Sequence, residues 1–64
     1  MSEQTKKSAE ATEKNLRAAE VYVKEADRHA FATGDKVLIQ KVRKIKEAVN
    51  ETANEISKRL GEGK

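Results

Sequence analysis

Small or apolar residues recur at spacings of three and four along two stretches of this chain, and one short break separates them. The first stretch is Ala9, Thr12, Leu16, Ala19, Val23, Ala26 and Ala30. The second is Leu38, Val42, Ile45, Val49, Thr52 and Ile56, roughly prolonged by Leu60. Such spacing gathers the residues into a seam along one helix face. No segment alternates in the manner of a half-buried strand. The break is Thr33-Gly34-Asp35. Glycine suits the left-handed position that ends a helix, and an aspartate just after it suits the N-cap of the next. A link this short joins antiparallel neighbours. The expected fold is therefore all-α: one antiparallel two-helix hairpin over 1–64, with helix 1 at about 5–32, a turn at 33–35 and helix 2 at about 36–60. Residues 1–7 and 61–64 carry no seam and are expected to fray.

Folding the chain back at Gly34 pairs the seams layer by layer. Ala30 meets Leu38, Ala26 meets Val42, Val23 meets Ile45, Ala19 meets Val49, Leu16 meets Thr52 and Thr12 meets Ile56. In most layers a small residue faces a larger one, which favours close approach. In this register Glu20 lies near Lys46, Tyr22 near Ala48 and His29 near Lys41. An Ile45→Asp substitution is then expected to unfold the hairpin, because it sets an unpaired charge opposite Val23.

The chain has 64 residues and no cysteine, so neither disulfides nor thiolate metal sites reinforce it. A core this small supplies only about 3–5 kcal/mol. Oligomerisation or a partner becomes the default expectation, the simplest form being two hairpins dimerising into a four-helix bundle. No stretch approaches the roughly 18 apolar residues of a membrane span. Lys6 and Lys7 near the start have no apolar run behind them, unlike a secretory signal. A soluble, cytoplasmic protein is expected.

Apolar residues off the seam form the leading candidate site. Phe31, Val37 and Ile39 gather near the turn, while Tyr22, Ala48, Ala18 and Ala11 tend towards one broad side. Val21, Ala53 and Leu60 also lie off the main seam. Contiguous exposed apolar surface marks an interaction site, whereas scattered apolar residues need no explanation. With so thin a core, the expected function is a small helical interaction or regulatory module. It would bind itself, as a homodimer, or another protein.

The second candidate is basic. Lys36, Lys41, Arg43, Lys44 and Lys46 fall in eleven residues without an acid. Contact with the phosphates of structured RNA or duplex DNA is one reading, and an anionic membrane surface is another. The plain alternative is a solvated face balanced by Glu20, Glu25 and Asp27. The net charge is only +3, the cations point in several directions, and aromatic residues for base stacking are almost absent. Helix 2 also sets Leu38, Ile39, Val42 and Ile45 beside its cations, but its seam is committed to helix 1 and it lacks Trp.

Glu25 and His29 share a helix face, yet two ligands are too few for a closed metal site. The hydroxyl residues sit in no catalytic motif, and Gly34 stands alone, with no phosphate-binding loop around it. No enzyme activity, cofactor, metal or small-molecule substrate is expected.

Overall fold

A computed structural model describes residues 2–62. Met1, Gly63 and Lys64 lie outside it; of the two ends expected to fray, residues 3–7 and 61–62 are helical. The chain is an all-α hairpin of two packed helices, α1 (Glu3–Thr33) and α2 (Lys36–Glu62). It measures 46 × 15 × 12 Å. Among the described residues no helix is long and apolar enough to cross a membrane.

Each boundary has a local cause. Ser2 is extended (φ −68°, ψ 165°) and its Oγ accepts from the Thr5 N–H at 3.1 Å. That satisfies one orphan donor of the first turn, and Glu3 complements the dipole there. Helix α1 therefore starts at Glu3, slightly ahead of the expected start near residue 5. At the other end Gly34 adopts φ 71°, ψ 3°, and its N–H donates to the Phe31 carbonyl at 3.2 Å. The Thr33 hydroxyl donates to the Ala30 carbonyl at 2.6 Å and accepts from the Asp35 N–H at 3.1 Å. Asp35 Oδ1 then accepts from the N–H groups of Val37 and Leu38 at 3.0 and 3.2 Å. The chain thus leaves one helix and enters the next with few orphan groups.

The inward faces differ from the expected seam. On α1 the less exposed residues are Ala9, Glu13, Leu16, Ala19, Glu20, Val23, Asp27 and Ala30, with Arg17 beside them. On α2 they are Ile39, Val42, Lys46, Val49, Ala53, Ile56 and Leu60. Ala9, Leu16, Ala19, Val23, Ala30, Val42, Val49 and Ile56 keep their expected place. Thr12, Ala26, Leu38, Ile45 and Thr52 do not: all five are exposed. Helix α2 has apolar residues on both sides of its Val42-Val49-Ile56 row, so two faces could have turned inward.

The chosen face turns Ile39, Ala53 and Leu60 inward, Ala53 buried and the other two half-buried. It also brings Lys46 to Asp27, and Asn50 to Glu20. The expected Glu20–Lys46 pair is accordingly replaced. His29 contacts Glu25 at 3.4 Å, one turn back on its own helix. Ile45, at 54% exposure, is no longer the centre of a layer. The expectation that Ile45→Asp unfolds the hairpin by burying a charge opposite Val23 falls with it.

The core is thin. Among the described residues only Ala53, at 1% exposure, and Ala30, at 7%, are buried, and no large side chain is fully enclosed. Two alanines at the contact let the helix backbones come close.

Candidate interaction surface

Polar contacts between the helices concentrate on one side. The Arg17 Nη2 donates to Asn54 Oδ1 at 3.0 Å. Asn54 Nδ2 donates to Asn50 Oδ1 at 3.3 Å, and Asn50 Nδ2 donates to Glu20 Oε2 at 2.7 Å. This ladder leaves α1, runs along α2 and returns to α1. Nearer the turn, Asp27 takes Arg43 Nε and Lys46 Nζ, each at 3.6 Å. Asp27 Oδ1 is enclosed and has no hydrogen-bond partner, so its contact with Arg43 is one of charge alone. Among the described residues every interhelical hydrogen bond or ion pair belongs to this side.

The opposite broad face has the contrary character. Both helices are right-handed and they run antiparallel. Rows displaced the same way from each seam therefore emerge on the same face of the hairpin. Away from the polar ladder, those rows are Thr12, Ala19 and Ala26 on α1, and Leu38, Ile45 and Thr52 on α2. Tyr22 and Ala48 flank them further out. Tyr22 is largely exposed, and Leu38 and Ile45 are about half exposed.

The α1 half of this face also avoids charge. Its two rows comprise Thr5, Ser8, Thr12, Asn15, Ala19, Tyr22, Ala26, His29 and Thr33, and none is Asp, Glu, Lys or Arg. Twelve of the other twenty-two residues of α1 are.

The expected site residues divide among several places. Tyr22 and Ala48 belong to the face opposite the polar ladder, whose α1 rows lack Asp, Glu, Lys and Arg and whose α2 rows carry Lys41, Glu55, Arg59 and Glu62. Ala11 and Ala18 are exposed on the outer edge of α1, away from α2. Phe31 and Ile39 border a shallow depression beside the turn, with Gly34, Lys36, Gln40 and Arg43. Ile39 is half-buried there, while Phe31 and Val37 are exposed. The structure thus does not gather these seven residues into one patch. Sequence reasoning placed Leu38, Ile45, Ala19 and Ala26 in the seam, yet Leu38, Ile45 and Ala26 are exposed on the broad face. The absence of charge along Thr5–Thr33 at two rows was the signal that could have marked it.

The basic residues also divide. Arg43 and Lys46 converge on Asp27, while Lys36, Lys41 and Lys44 are exposed and point in different directions around α2. Glu25 touches Arg28 and His29, at 3.2 and 3.4 Å. Among the described residues no third His, Cys, Asp or Glu joins Glu25 and His29 to form a metal-binding group.

No protein-family model matches this chain, and neither a curated protein nor a solved structure is similar enough to match it.

Proposed function

We propose that this chain is a cytoplasmic helical interaction module that works by burying the broad face bearing Tyr22, Ala26, Leu38, Ile45 and Ala48 against a protein. The observation that carries the reading is the asymmetry of the two broad faces. One holds the interhelical polar contacts. The other exposes Leu38, Ile45 and Tyr22 and excludes formal charge along the whole of α1. Burying apolar area is worth about 25 cal/mol per Å², which a hairpin with a two-alanine core does not obtain internally. Charges at the rim would set orientation and reject wrong partners.

Phosphate binding through Lys36, Lys41, Arg43, Lys44 and Lys46 is the weaker reading, because Arg43 and Lys46 already share the Asp27 carboxylate. Membrane binding is weaker still, since Ile39 and Val42 are turned towards α1.

The test is site-specific photo-crosslinking in cells. Tyr22 and Val21 are adjacent and similarly exposed, at 78% and 67%, but lie about 100° apart around α1. A photoreactive residue at Tyr22 should give protein adducts that one at Val21 does not. Equal yields from both positions, or none from Tyr22, would refute the reading.

A further inference from the structure

We propose that the protein covering this face is a second copy of the chain, docked with its turn at the opposite end, so that a two-fold axis passes beside Tyr22 and Ala48. The inference rests on the interaction reading above and adds the partner and its orientation. Three observations support it.

The first is extent. The face spans 46 × 15 Å, a footprint of roughly 700 Å² before side chains are added, against about 800 Å² per partner in a standard interface. A second hairpin of the same dimensions covers it from end to end.

The second is the width of the apolar arc on α2. Ile39, Ala53 and Leu60 lie on one side of the Val42-Val49-Ile56 row, and Leu38 and Ile45 on the other. Helix α1 covers only the first side. An apolar arc that wide is what a helix carries when it has two neighbours, as in a four-helix bundle.

The third is charge. The Glu20–Asn50 and Asp27–Arg43 contacts fix the register, which sets Tyr22 level with Ala48 and His29 level with Lys41. The turn end of the face therefore carries Lys41 and His29. The far end carries Glu55 and Glu62, with Arg59 bonded to Glu55 at 3.0 Å. Docking with both turns at one end would set Lys41 of each copy opposite His29 of the other, with no carboxylate to meet the lysine. Reversing one copy about an axis at Ala48 brings Lys41 over Glu55, seven residues to either side of the axis. Surface attractions of this kind are small but they decide between two otherwise similar packings.

The experiment is sedimentation equilibrium of the full chain, paired with disulfide trapping, which is clean because the chain has no cysteine. The expected mass is twice the 7.1 kDa of one chain, and Ile45→Lys should shift the equilibrium towards the single-chain mass. Ala48→Cys should link to itself at least tenfold faster than Val21→Cys. A mixture of Lys41→Cys and Glu55→Cys chains should give the mixed dimer. A single-chain mass at every concentration would overturn the proposal. So would fast linking of Lys41→Cys to His29→Cys without linking to Glu55→Cys, since that is the same-end packing. If Tyr22 photo-adducts contain only other proteins, the second copy is refuted while the interaction reading stands.

Discussion

Adjacent residues on α2 provide a direct test of which face turns inward. Thr52 is exposed, and Ala53 is the most enclosed residue of the core, at 1% exposure. An aspartate at Ala53 places a carboxylate between the helices at a point chosen for its small side chain. An uncompensated buried charge costs about 3–5 kcal/mol, and the exchange of Ala for Asp takes roughly 0.5 kcal/mol more in helix propensity. A core this small supplies at most about 3–5 kcal/mol, so Ala53→Asp should be largely unfolded at neutral pH. Thr52→Asp adds a charge already in water and exchanges residues of similar propensity, a cost of about 0.5 kcal/mol or less in the hairpin itself.

Helicity by circular dichroism, followed through thermal melts at low protein concentration, reads both. The pH dependence supplies a second sign. Burial raises the pKa of the new carboxyl in the folded state above its unfolded value of about 3.9. Its penalty is then absent below that value and grows as pH rises through it. Acidification should therefore narrow the gap between Ala53→Asp and the parent. Similar melts for the two variants, or a parent-like melt for Ala53→Asp, would refute the assigned seam.

Three further outcomes are expected. Gly34 has φ +71° and nothing within 4 Å of an added Cβ, so Gly34→Ala should cost about 1–2 kcal/mol through backbone strain alone, measured by chemical denaturation, with Gly34→Asn costing less. Asp27→Ala removes the carboxylate shared by Arg43 and Lys46, whose side chains are 54% and 40% exposed. Solvent screening limits the loss to about 1 kcal/mol, and a double-mutant cycle with Lys46→Ala should give a coupling below that. Titration with duplex DNA and structured RNA at low salt should show no binding. An affinity that falls steeply with salt, and is weakened by neutralising Lys36, Lys41 and Lys44, would instead establish the phosphate reading.

The hairpin was legible from the chain because its causes are local. Helix-forming residues fill both halves, the 3–4 spacing fixes a helical period, and the mid-chain glycine, Gly34, sits where the φ value must be positive. Asp35 follows at the position where a carboxylate reaches two free N–H groups. Ser2 carries the same kind of signal at the start of α1, but the seam begins only at Ala9 and so does not point to it.

The choice of inward face was not legible, for a physical reason that particular residues make plain. Helix α2 offers Leu38-Ile45-Thr52 and Ile39-Lys46-Ala53-Leu60 as alternative partners for its central row. Periodicity favours the first, since it keeps a lysine out of the seam. Only the packed pair decides for the second. There Asp27 can meet Lys46 and Arg43, Asn50 can reach Glu20, and the Ala53 methyl admits close approach. These are energies between residues far apart in the chain, so no single helix contains them. Local signals along the chain set two helices, their turn and their antiparallel course. The tertiary structure decided which apolar row is consumed within the hairpin and which is left on its broad face, because cross-chain polar pairing and side-chain size act only once the helices touch.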